Sequence, residues 1–148
     1  MPRLRLPLIP RWLRVTATIT VALVILIYSI RDPPGSGTIR MGPFGLFPYT
    51  MWLHLLAYGG LAGTVAYALH EHPRPDWQHV LLVVVVVAIY GVGIELLQST
   101  LADRQADLAD AGVNTLGAGF AAIAWRVLSR SARFYRTHRL GDLQPPVG

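Results

Sequence analysis

Four apolar stretches, separated by polar segments dense in Arg, Pro and Gly, dominate the chain: roughly Trp12–Ile30, Pro48–Leu69, Gln78–Gln98 and Ala109–Leu128. Each has about the 20 residues that a helix, rising about 1.5 Å per residue, needs to cross the hydrocarbon core of a bilayer. The pattern predicts an all-α fold, a four-helix transmembrane bundle in a single domain over residues 1–148. The third stretch is the clearest. Val80–Ile94 carries no charge, and its run Val83–Val87 suits a setting where backbone groups must bond within the helix. The fourth is mostly Ala and Gly, interrupted by Asn114 and Thr115. On hydropathy alone an interfacial or re-entrant segment is its alternative, and the charge distribution favours a span.

Composition agrees with this reading. Of 148 residues 53% are hydrophobic and 14% charged, against about a quarter charged in a soluble domain. The absence of Cys excludes disulfide scaffolds, thiolate metal sites and cysteine nucleophiles. The formal charge of +5 comes from 13 basic residues, all Arg. Ten of them flank one side of the spans: Arg3, Arg5, Arg11 and Arg14 before or at the first, Arg74 between the second and third, and Arg126, Arg130, Arg133, Arg136 and Arg139 at or after the fourth. Arg31, Arg40 and Arg104 fall on the other side, so the positive-inside rule predicts both termini in the cytoplasm and loops 31–47 and 99–108 outside. A cleaved signal peptide is the alternative for the N-terminus. Its small-residue candidate Gly35-Ser36-Gly37 is separated from the apolar run by Arg31, Asp32, Pro33 and Pro34, which disfavours cleavage. The first outer loop is rich in Pro and Gly and is expected to be irregular until Pro48, with an apolar tip at Met41–Phe47 that anchors at headgroup depth or covers a site. Residues 129–148 form a basic tail whose Arg spacing predicts a continuation of the fourth helix against anionic headgroups. The Arg follow membrane topology, so membrane lipids are the expected partners and nucleic acid is not.

Polar side chains within spans are costly, about 2.5–3.5 kcal/mol for a central charge, and each needs a reason. With the topology above, His54, Glu95 and Asn114 all fall toward the outer leaflet, within about one helical turn of one another in depth. Spacing extends the set. Tyr58 follows His54 at i+4, Glu95 and Gln98 are i, i+3, and Asp107, Asp110 and Asn114 are i, i+3 and i+7. Arg104, in the short loop between, is the nearest cation to Glu95, Asp107 or Asp110. The competing reading is that these residues pair with one another and cap the fourth helix. Gly59 and Gly63 form a GxxxG on the second helix, and Gly117 and Gly119 lie on the fourth; both pairs are expected to serve close packing. The cytoplasmic residues His70, Glu71, His72, Asp76 and His79 lack the helical spacing of a metal motif, being broken by Pro73 and Pro75, and no metal is expected there. No phosphate-binding loop, nucleophile elbow or dinucleotide fingerprint occurs, so no cofactor is expected.

The segment Gly93-Ile94-Glu95-Leu96-Leu97-Gln98, followed by Arg104, Asp107, Asp110, Asn114, Gly117 and Gly119, resembles the hallmark stretch of VanZ-like membrane proteins: E-x-x-Q, then R, D and N-x-x-G. His54-Leu55-Leu56-Ala57-Tyr58 is similar to the H-x-x-x-Y of an earlier helix in that family. The resemblance covers about residues 48–128. Family members often carry Asp-Lys shortly before the His, where this chain has Thr50 and Met51, so an extra acid or lysine beside His54 is missing. The family is named for a protein giving low-level resistance to the glycopeptide teicoplanin. The resemblance implies a cell-envelope role and marks His54, Tyr58, Glu95, Gln98, Arg104, Asp107, Asp110 and Asn114 as the candidate site.

The favoured expectation is a protein that binds or handles an envelope lipid or amphiphile through this polar site. One alternative is a noncatalytic subunit whose polar cluster fixes helix register. The other is a membrane-embedded hydrolase or transferase with Glu95 or His54 as general base and Asp107 and Asp110 holding a divalent ion. The GxxxG face leaves open a homo-oligomer or a membrane-protein partner.

Overall fold

The computed structural model describes residues 4–31, 40–71, 75–101 and 108–136. The four apolar stretches are four helices: α1 Arg11–Ile30, α2 Tyr49–Ala68, α3 Asp76–Gln98 and α4 Leu108–Ser131. By length and composition α1 and α3 are apolar enough to cross a membrane. Three helices begin directly after a proline, Pro10, Pro48 and Pro75, each with φ between −54° and −50°. The ring fixes φ and disfavours helix in the residue before it, which sets these starts without a side-chain cap.

The core lies between α2, α3 and α4, with α1 packed on the α2 side. Leu61, Ala62, Val65 and Ala66 of α2 meet Val83, Val87 and Ile94 of α3 and Ala118 and Ala122 of α4. The small residues matter most where α2 crosses α4. A Cβ at Gly59 would stand 3.4 Å from the Gly117 carbonyl oxygen, and a Cβ at Gly117 would overlap the Leu55 carbonyl. The two backbones are therefore in contact, as small residues on facing helices permit. Gly63 and Gly119 play no such part: a Cβ at either meets nothing within 4 Å. The expected packing pairs thus reduce to Gly59 and Gly117.

The all-α expectation needs one correction at the chain ends. After Ser131 the basic tail leaves the helix and Ala132–Arg136 forms strand β2, pairing in parallel with β1, Leu4–Leu8, in the register Leu6 to Phe134. The tail's Arg spacing suits a helix, but Phe134 finds a better place. Its ring stands 4.0 Å from that of His70 and 5.9 Å from that of Trp125. Pro7, which has no N–H to give, is accommodated because a two-stranded ribbon has only edges. Before α2, residues 40–49 form a small hairpin closed by Tyr49 N–H to the Arg40 carbonyl and Gly42 N–H to the Phe47 carbonyl, each at 2.8 Å. Phe44 at its tip is 88% exposed and has φ of 62°, a left-handed conformation rare for an aromatic residue.

Candidate functional site

The helix arithmetic places three i, i+4 pairs at one end of the bundle: His54 and Tyr58 on α2, Gly91 and Glu95 on α3, Asp110 and Asn114 on α4. They converge because the backbones touch at Gly59 and Gly117, next to these levels. His54 Nδ1 lies 3.0 Å from Asn114 Oδ1, and His54 Nε2 lies 3.5 Å from Asp110 Oδ2. Both ring nitrogens thus face oxygens. The imidazolium can donate to both, whereas the neutral ring can donate to one. The His54 ring stacks on Tyr58 at 6.2 Å with 6° between the planes, and Tyr90 of α3 tilts against Tyr58 at 6.3 Å.

The inner part of this cluster is closed to solvent. Asn114 is wholly buried, Tyr58 is 1% exposed and Glu95 6%. Gly91 makes the room: a Cβ there would sit 3.1 Å from Tyr58 Cε1 and 3.5 Å from Asn114 Nδ2. Two donors in this buried corner, the Tyr58 hydroxyl and the Asn114 side-chain amide Nδ2, have no hydrogen-bond partner among the described residues, and the buried Glu95 carboxylate lies near Tyr58. A buried donor left without an acceptor costs about 1–3 kcal/mol, so the corner is built for an acceptor brought from elsewhere or is a standing loss of stability.

Of the residues expected at the site, the structure brings together His54, Tyr58, Glu95, Asp110 and Asn114. Gln98 is turned away, its Nε2 donating to the Ser29 carbonyl at the end of α1, 2.8 Å distant, where it satisfies a carbonyl that the helix end leaves open. Arg104 and Asp107 lie outside the described residues. Comparison with models of protein families, with curated proteins and with solved structures finds no match.

The opposite end of the bundle carries a second polar cluster, whose arginines read in sequence as topology charges and whose His70, Glu71 and Asp76 are weighed there only for a metal. Arg14 of α1 is 2% exposed. Its guanidinium donates to the Tyr67 carbonyl at 2.9 Å, pairs with Glu71 and lies 5.4 Å from the centre of the Tyr67 ring. Asp76 at the start of α3 pairs with Arg126 and Arg130 of α4. His70 sits against Trp125 and Phe134, and its pKa is lowered from the usual 6.5, first by burial, then by the charges of Arg14 and His79, against an opposing pull from Glu71. Among the described residues no three His, Asp or Glu side chains come together to hold a metal ion. His72 lies outside the described residues.

Proposed function

We propose that this chain is a four-span membrane protein of the VanZ-like type, both ends cytoplasmic, whose outer polar site binds the oxygen-bearing headgroup of an envelope lipid or amphiphile. The observation that carries the binding reading is the pair of buried donors, Tyr58 Oη and Asn114 Nδ2, without an acceptor among the described residues. Phosphate, carboxylate or sugar oxygens supply what both lack. The four-span reading is supported by the outward faces of all the helices, not only the two most apolar. Leu53 and Leu56 on α2 and Leu116, Phe120, Ile123 and Val127 on α4 are exposed. An apolar surface of this extent fits lipid rather than water. The pairing of β1 with β2 brings the two ends of the described chain side by side, in keeping with an even number of crossings.

The register-fixing alternative has one observation in its favour, the His54 link from α2 to Asp110 and Asn114 of α4. The two readings part on Tyr58→Phe. If the cluster is structural, deleting a partnerless buried hydroxyl leaves stability equal or higher and changes no bound molecule. If a ligand is held, the same variant stays folded but loses a hydrogen bond to it, worth about 1.5–3 kcal/mol for a charged acceptor and so about tenfold or more in occupancy. Native mass spectrometry of wild type, Tyr58→Phe and Glu95→Ala in mild detergent reads this directly. The expected result is a species of defined mass on wild type, depleted on both variants, with Tyr58→Phe unfolding at the wild-type temperature or above. Identical nonspecific lipids on wild type and Tyr58→Phe would overturn the ligand reading.

A further inference from the structure

A groove of about 400 Å³ runs along the outside of α2 and α4 from the middle of α2 toward the end away from His54, between Gly60, Gly63 and Tyr67 of α2, Trp125 of α4, and Leu6 and Phe134 of the strand ribbon. It is a shallow groove, open along its length to the surroundings of the helices. The floor is flat because Gly60 and Gly63 have no side chains, and a Cβ at either would meet nothing within 4 Å. The hydroxyls on its wall are turned to backbone: Thr64 donates to the Leu61 carbonyl at 2.8 Å, and Tyr67 donates to the Pro7 carbonyl at 2.8 Å while accepting from the Ile9 N–H. What remains to line the space is apolar.

We infer that this groove seats one acyl chain of an anionic phospholipid of the cytoplasmic leaflet. The inference rests on the four-span topology proposed above, which puts the groove in that leaflet, and is independent of the outer site. Shape and charge select this occupant. The groove runs only about 10 Å along α2, from Gly60 to Tyr67, and ends at the ribbon of β1 and β2. A second helix, about 10–12 Å across, would collide with that ribbon, whereas a single hydrocarbon chain is narrow enough to enter beside it and run along α2 toward Gly60. The acids at this end are already engaged, Glu71 by Arg14 and Asp76 by Arg126 and Arg130. Arg11, at the start of α1, and Arg133, next to Phe134 in β2, are exposed and make no ion pair among the described residues. They supply positive charge at the headgroup level, where each basic residue near an anionic surface contributes about 1 kcal/mol. The aromatic rings of Tyr67, Trp125 and Phe134 form the rim, the side chains favoured at that depth.

The test fills the groove from its own floor. Gly63→Leu adds a side chain where the structure has space, and Arg133→Gln removes the headgroup charge. Both are reconstituted beside wild type in nanodiscs of phosphatidylglycerol and phosphatidylcholine, and lipid retained after extraction is counted by native mass spectrometry. Gly63→Leu is expected to lower retained phosphatidylglycerol about tenfold, the effect of leaving roughly two methylenes unburied. Arg133→Gln is expected to keep a lipid but lose the preference for phosphatidylglycerol. Undiminished retention on Gly63→Leu overturns the proposal, and so does a wild-type dimer that Gly63→Leu dissolves, which assigns the groove to a second copy. Failure of the topology is read separately. A sidedness pattern of single cysteines on the helix connections that departs from four crossings overturns the leaflet assignment, while Gly63→Leu still reads whether the groove holds a chain.

Discussion

His70 is the side chain whose protonation bears most directly on folding at the end where β1 and β2 meet, since its ring packs on Trp125 and Phe134. Its folded pKa lies below the unfolded value of 6.5, through burial first and the nearby charges of Arg14 and His79 second. Between the two values the unfolded chain binds the extra proton, so stability rises with pH up to about 6.5 and is level above it. Acidification from pH 7.5 to 5.5 is therefore expected to lower the unfolding temperature in detergent. His70→Gln, which cannot titrate, should remove that part of the slope, and an identical slope in the variant would show that His70 is not its source. The residue scale also shows what spacing along the chain can and cannot convey. The i, i+4 relation puts His54 with Tyr58 and Asp110 with Asn114 correctly, because it is a property of one helix. Gln98 shares a turn with Glu95, but which neighbour each faces depends on where α1 lies, and Gln98 meets Ser29, 69 residues away. Arg14 reads as a topology charge in sequence. Its burial depends on Tyr67 and Glu71, 53 and 57 positions distant, and nothing local signals it.

At the scale of the elements, the site exists because α2 and α4 touch backbone to backbone, and one glycine makes that possible. Gly117→Ala puts a methyl group into the Leu55 carbonyl, a backbone atom that cannot swing aside. Overpacking of this kind costs about 1–3 kcal/mol and moves the helices apart, which stretches the 3.0 Å contact of His54 with Asn114. Gly119→Ala, two residues on, meets open space and should leave stability equal or raise it, by up to about 1 kcal/mol of helix propensity. Thermal unfolding of the two variants side by side checks the pair, and equal behaviour would contradict the close approach at Gly117. Hydropathy located all four helices to within a few residues, since long apolar runs have one stable backbone state without water. It missed the strands. Ala-Arg-Phe-Tyr-Arg at 132–136 has no period-2 alternation, and a parallel ribbon between residues 4–8 and 132–136 is defined only by the partner it finds.

For the whole molecule, the same features place different demands on each helix, and these can be separated by the side on which the loops lie. Because the natural chain has no Cys, single cysteines report accessibility without background. Phe44, Trp77, Thr100 and Ser131 are exposed positions on the four successive connections or ends. Four crossings put Phe44 and Thr100 outside and Trp77 and Ser131 in the cytoplasm, as the Arg excess on the latter side requires. A membrane-impermeant maleimide on intact cells is then expected to label Phe44→Cys and Thr100→Cys, and to reach Trp77→Cys and Ser131→Cys only after permeabilisation. Each adjacent pair tests one helix. If only α1 and α3 cross, Phe44 and Trp77 label together and Thr100 and Ser131 label together on the other side. That pattern would carry Glu95 and all of α4, with Asp110 and Asn114, to the cytoplasmic side and leave His54 on the outer side, parting it from the two α4 residues it contacts. The polar cluster holds these residues within one turn of each other, and α2 joins α4 through His54 and the Gly59–Gly117 contact, so a half-inserted bundle would have to break the very contacts that define the site.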